Sequence, residues 1–157
     1  MKEILSKLSK LANISPDWVQ EEKNFDFSLL QCENIHPSVK KYLTLLSDMT
    51  IHPKSADRWL IPSQELIEAF NKWPVSHLLP NGFINIAWDN WSMIFIVHIE
   101  TGEVYEFYSR NVNDDGYIEC EDYPVNYENI IEFTDEKYDS IEEFLNTWFD
   151  AILSDNE

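Results

Sequence analysis

Glycine is nearly missing from this chain: three residues in 157, at positions 82, 102 and 116. A phosphate-cradling loop gathers several glycines into one turn so that backbone N–H groups can approach the anion, and isolated glycines cannot build one. Prolines number only seven, and no stretch has the composition of a flexible linker. Cysteine is as scarce. Cys32 and Cys120 stand alone, which excludes a disulfide framework and predicts free, buried or partly buried thiols. Long apolar runs are missing too. No window approaches the ~18 apolar residues of a membrane span. The N-terminal MKEILSKLSKLAN interrupts its apolar positions with Lys7, Ser9 and Lys10, unlike a signal peptide. A single cytoplasmic domain over 1–157, free of membrane contact, is expected.

Positive charge is missing from one half. Residues 1–78 hold 9 basic and 10 acidic side chains, whereas 79–157 hold 2 basic, Arg110 and Lys137, against 19 acidic. The balances are −1 and −17 within a total of −18. Such a field repels nucleic acid and anionic membrane and attracts a cationic partner.

Catalytic signatures are also absent. There is no G-x-S-x-G turn, and the acids around Cys120 raise its pKa and weaken it as a nucleophile. Cys32 and His36 are four apart with no second Cys or His pair nearby, so zinc is not expected. NVNDDGYIECED (111–122) has the spacing of a calcium loop. Asn111, Asn113 and Asp115 stand at ligand positions, Gly116 at the sharp turn, Ile118 at the apolar anchor and Asp122 at the end. Asn replaces the first Asp, Asp replaces the closing Glu, and the flanks look extended, so an acidic surface loop is expected instead. No catalytic residue, metal or cofactor is predicted.

What is present reads as alternating helices and strands. Helices are expected over 2–12, from Ser15-Pro16-Asp17 to about Glu22, over the HPSVKKYLTLL segment and from Ser63 through QELIEAFNKW to Pro74. Val39, Tyr42, Leu43 and Leu46 make the apolar stripe of the third. NFDFSLLQCEN looks extended. A short strand around Arg58 to Ile61 precedes a three-stranded meander, 83–88, 93–99 and 104–109, with Gly102 in its second turn. The central strand MIFIVHI is apolar on both faces: Met93, Phe95, Val97 and Ile99 on one, Ile94 and Ile96 on the other. It must therefore be an inner strand, covered on both sides. His98 shares the second face and is expected to have a hydrogen-bond partner. The acid- and tyrosine-rich stretch after Arg110 reads as loop. Ser140 and Glu143 form a capping box for a last helix carrying Phe144, Leu145, Trp148, Phe149 and Ile152.

Without a catalytic constellation, function is expected at the surface. Trp88, Asp89 and Trp91 crowd a hairpin turn, Glu106 lies among aromatic neighbours, and Asp114, Asp115, Glu119, Glu121 and Asp122 follow among tyrosines. Tryptophan and tyrosine anchor protein interfaces, and surrounding carboxylates steer a basic protein inward.

The order SVKKYLTLL, RWLIPSQELIEAFNKW, INIAWDNWSMIFIVHIETGEVYEF and DSIEEFLNTWFDAI resembles the SUKH superfamily of bacterial immunity proteins and their eukaryotic regulatory relatives. The likeness covers roughly Ile35 to Leu153, with residues 1–30 as a helical extension. The chain has SDMT and DNWS where that family often carries Asn-Gly and a glycine-rich turn. The resemblance implies an α+β domain, a twisted, mainly antiparallel sheet with helices packed against it, and action without catalysis. It also implies a cytoplasmic monomer or weak homodimer whose partner is a cognate toxin, a nuclease or deaminase with a basic active-site surface. A regulatory or scaffold module of the same fold, with no toxin partner, is the alternative.

Overall fold

A computed structural model of the chain describes residues 1–4, 24–46, 58–60, 75–89, 93–108, 112–118 and 123–154. Residues 2–4 are helical. The rest of the first expected helix, the one after Ser15 and the one after Ser63 lie outside the described residues, as do Trp91, Glu119, Cys120, Glu121 and Asp122.

Five antiparallel strands form one sheet: β1 (Arg58–Leu60), β2 (Phe83–Asp89), β3 (Met93–His98), β4 (Val104–Tyr108) and, closing one edge, β7 (Thr134–Tyr138). Their spatial order is β1-β2-β3-β4-β7. A ribbon of β5 (Tyr117–Ile118) and β6 (Tyr123–Pro124) stands apart from it. The helices are α1 (Pro37–Leu46), α2 (Val75–Leu78), α3 (Tyr127–Glu132) and α4 (Ile141–Ser154). The fold is α+β with a mainly antiparallel sheet. Among the described residues no helix is long and apolar enough to cross a membrane.

β3 is the middle strand, and its two faces enter two different cores. Phe95, Val97 and the following Ile99 join Val39, Tyr42, Leu43 and Leu45 of α1 and Ile141, Phe144, Leu145 and Trp148 of α4. Ile94 and Ile96 join Leu78, Phe83, Tyr105, Phe107, Val112, Ile118 and Ile130. Burying a side chain of this size is worth about 1.5–3 kcal/mol, so covering either face repays the ordering of the elements that cover it. Phe25 and Leu30 also belong to the first core.

Between the two cores β2 carries a bulge. Asn85 is in register with Ile96 and Ala87 with Phe95, leaving Ile86 as the extra residue. A bulge frees backbone groups that a dry interior must satisfy by other means. The Asn85 side-chain oxygen accepts the Ala87 N–H at 3.2 Å, and the Tyr42 hydroxyl donates to the Ile86 carbonyl at 2.9 Å. Asn85, 3% exposed, is the one buried amide among the described residues. Burial raises the Tyr42 pKa, which keeps the phenol protonated and able to donate.

Gly102 closes the β3–β4 turn at φ 74°, the left-handed region that favours glycine. A Cβ there would stand 2.7 Å from both His36 Nδ1 and Ser38 Oγ, so the turn and the start of α1 exclude any side chain. His36 N–H donates to the Ile99 carbonyl at 2.8 Å and ties the two together.

Two expectations are corrected. The 24–34 segment is not extended. Asp26 accepts from the Ser28 N–H at 3.1 Å and caps a 3-10 turn, Phe27–Leu30, that ends at Gln31 in the left-handed region, φ 51°. The stretch after Arg110 is not only loop. Asn126 accepts from the Asn129 N–H at 2.9 Å and starts α3, and β7 then pairs with β4. Charge hides β7 because an edge strand needs little apolar alternation. The last helix begins as expected: Glu143 N–H donates to Ser140 Oγ at 3.1 Å. Its carboxylate accepts the Asp139 N–H at 2.7 Å, one residue ahead of the cap.

Removing the Tyr42 hydroxyl (Tyr42→Phe) leaves the Ile86 carbonyl buried and unpaired, at a cost of about 1–3 kcal/mol. The urea midpoint should fall with an unchanged slope. An unshifted midpoint would show that the bulge does not depend on this bond.

Candidate functional site

Trp88 and Asp89 close β2, where Asp89 is in register with Met93 of β3 and Arg58 of β1. Glu106 is in register with Phe95 and Glu136, flanked by strands on both sides and half-buried. Asp114 and Asp115 are exposed in a turn held by Asn113, whose side-chain oxygen accepts from the Asp115 N–H at 3.1 Å and the Tyr117 N–H at 3.0 Å. That oxygen, at a position a calcium loop would use for the ion, faces its own backbone. The Gly116 backbone lies against the His77 ring of α2. The Asp114–Asp115 turn is thus anchored to the segment that enters β2, and Trp88 and Asp89 stand at the end that leaves it.

Tyr117, Tyr123 and Tyr127 are exposed at 37–42%, whereas Tyr105 is buried at 3% and belongs to the core. The exposed tyrosines sit on the β5–β6 ribbon and at the start of α3. Exposed acids are described on the elements that follow: Glu128 and Glu132 on α3, Asp135 and Glu136 on the β7 edge, and Glu142 and Glu143 on α4, which covers the opposite face of the sheet from α3. Sequence reading singled out Glu143 only as half of the capping box, and it missed the acids of α3 and β7 because it placed neither element. The N-cap Asn126 ahead of Ile130 and Ile131 was the signal for α3. Lys137, the one basic residue described in this half, pairs with Glu103 at 2.6 Å and Asp139 at 3.6 Å. The Met1 amine pairs with Glu142 at 2.9 Å, so both described cations at these acids are already held by carboxylates.

Glu103 is also the end of a hydrogen-bond chain. It accepts from the Tyr105 hydroxyl at 2.7 Å and from the Thr101 hydroxyl at 3.1 Å. Lys137, then Tyr105, hold its pKa below the ordinary 4.5. Thr101 Oγ1 lies 3.1 Å from His98 Nδ1. Its single hydrogen goes to Glu103, so it accepts from Nδ1–H, which leaves Nε2 of the neutral ring as an acceptor. The His98 ring lies against Phe83 (5.0 Å between centroids) and Tyr127 (5.2 Å). Burial lowers its pKa from 6.5, against the opposing pull of Glu100 and Glu103.

His98 forms part of a cleft of about 560 Å³ lined by the 30–34 loop, the 79–82 loop and Glu100. The cleft size lies within the range of small-ligand sites. Gly82 has φ 85°, and a Cβ added there would stand 3.2 Å from His98 Nε2. Cys32 Sγ donates to Glu100 Oε1 at 3.7 Å, and burial, foremost, raises the thiol's pKa. Asn81, in one wall, is anchored from behind by donating its amide to the His77 carbonyl at 3.0 Å and the Val125 carbonyl at 3.1 Å. Sequence reading did not find this cleft, since its walls come from three distant segments. Comparison with known proteins yields no match to a family model, a curated protein or a solved structure.

Acidification should weaken the fold in two windows. The unfolded chain takes up a proton at His98 at higher pH than the fold does, so stability falls from about pH 6.5 downward through the lowered folded value. Glu103 adds a second loss as pH falls from 4.5 through its own lowered value. An NMR titration placing the His98 ring at or above 6.5 would contradict the first window.

Proposed function

We propose that this chain is a cytoplasmic immunity protein that binds and neutralises a basic toxin through its acidic, tyrosine-bearing face. The observation that carries the reading is the acidic bias of the β7 edge and the helices on either side of it: exposed carboxylates on α3, β7 and α4, with Lys137 paired to Glu103 and Asp139 and the Met1 amine to Glu142. A nuclease groove is built to attract phosphates, and a surface of fixed carboxylates competes for the same positive charge. The field raises the encounter rate. Tyr117, Tyr123 and Tyr127 supply rigid, amphipathic contact area of the kind that dominates interface energetics. The resemblance to the SUKH superfamily supports toxin neutralisation over other uses of an acidic face, and a deaminase acting on nucleic acid would present the same kind of groove.

Co-expression with the toxin encoded beside this gene should protect the cell, and the two chains should co-elute on a sizing column. Neutralising four exposed acids (Asp115→Asn, Glu128→Gln, Asp135→Asn and Glu136→Gln) should lower the association rate about tenfold or more at low salt and flatten its salt dependence. Killing that continues, with no complex, refutes the proposal. A complex whose association rate ignores both salt and the four substitutions would move recognition to another surface.

A further inference from the structure

The cleft at the β3–β4 turn has a lining with a marked chemical bias. Its described residues include Gln31, Cys32, Glu33, Asn34, Asn81, His98 and Glu100, and among the described residues no lysine or arginine lines it. Some of its donors are already engaged, while the Gln31 and Asn34 carboxamides offer both donors and an acceptor. The Asn81 amide nitrogen donates to two carbonyls, so its oxygen is what remains for a ligand. The Cys32 thiol donates to Glu100, which keeps further lone pairs. His98 donates through Nδ1 to Thr101 and presents Nε2 as an acceptor beside Gly82. An imidazole acceptor, an amide oxygen and two carboxylates face one cavity of about 560 Å³.

We propose that this cleft binds an alkylguanidinium group, the head of an arginine side chain presented by the basic partner. That source rests on the function proposed above, whereas the chemistry of the cleft does not. A guanidinium carries five N–H donors in a planar fork and no acceptor, the complement of the Glu33 and Glu100 carboxylates, the Asn81 oxygen and His98 Nε2. An ammonium is a compact, strongly hydrated point charge with three donors, and is a poorer match to acceptors spread over three segments. The cavity has room for the side chain and adjoining backbone. Burial favours the neutral imidazole, and the neutral ring does not repel the incoming cation.

The test titrates the full chain with Nα-acetyl-arginine amide, followed by NMR at the His98 ring and the Cys32 and Gly82 amides. Nα-acetyl-lysine amide, the uncharged citrulline analogue and free arginine serve as comparisons. Saturable shifts at those three places are expected with the blocked arginine, weaker ones with lysine and none with citrulline. Glu100→Gln should weaken binding about fivefold or more, and Glu33→Gln should weaken it in the same direction. Glu33 and Glu100 are exposed, so neither change threatens the core. No saturation with arginine, or an equal response to citrulline or lysine, overturns the proposal. A response to free arginine alone would assign the cleft to a metabolite and overturn a protein source. The titration uses no toxin. An inert cleft with an intact toxin complex therefore defeats this proposal alone, and a saturable cleft without a complex defeats only the immunity reading.

Discussion

A strand with apolar side chains on both faces cannot stand in a sheet that leaves either face wet, and β3 is such a strand. Its alternation sends Phe95 and Val97 one way and Ile94 and Ile96 the other, so elements must cover both sides. α1 and α4 are long enough to cover the first face. The second is covered by smaller pieces, including α2, the β5–β6 ribbon and α3, because the chain between β4 and β7 must return to the sheet edge. The bulge in β2 belongs to the same constraint. Its freed carbonyl and N–H lie between two dry layers, and Tyr42 from α1 and Asn85 from β2 itself satisfy them.

The same demand disposes of the charge. With both faces of the sheet apolar, the described acids of residues 79–157 stand at turns, on exposed positions of helices and along the β7 edge, with Glu106 of β4 and Asp89 at the end of β2 as the exceptions. An edge strand presents unpaired backbone groups that invite another strand, and Asp135 and Glu136 discourage that pairing between like chains. Crowding so many carboxylates costs stability through mutual repulsion. Under the proposed function a cationic partner would offset that cost, turning an unfavourable term of the free molecule into a favourable one in the complex.

Much of the fold was legible because periodicity reports burial directly. The three-stranded meander, the two-faced centre and the α1 stripe followed from apolar spacing, and the Ser140–Glu143 box marked the start of α4. Legibility failed where local side-chain chemistry decides against pattern. The 3-10 turn after Asp26 depends on one carboxylate bonding the Ser28 N–H, in a segment whose apolar spacing suggests extension. β7 is held by pairing with β4 and not by its own residues. The acidic bias of the surface was visible in composition, but its location was not. The cleft was out of reach for another reason. Its walls are 30–34, 79–82 and 98–100, and only the tertiary fold brings them together.

The β3–β4 turn joins the two surfaces. Lys137, on the acidic edge, pairs with Glu103; Glu103 takes the Thr101 hydrogen; Thr101 therefore accepts from His98 Nδ1; and His98 turns Nε2 toward the cleft. Each link fixes the direction of the next, because a hydroxyl has one hydrogen to give. The only described cation of the acidic half therefore does more than reduce its charge. It favours the ionised form of Glu103, and an ionised carboxylate can only accept, which sets the tautomer of the histidine at the cleft. Under the proposed function, a donor protruding from a cationic partner would meet a cleft whose histidine acceptor is already oriented.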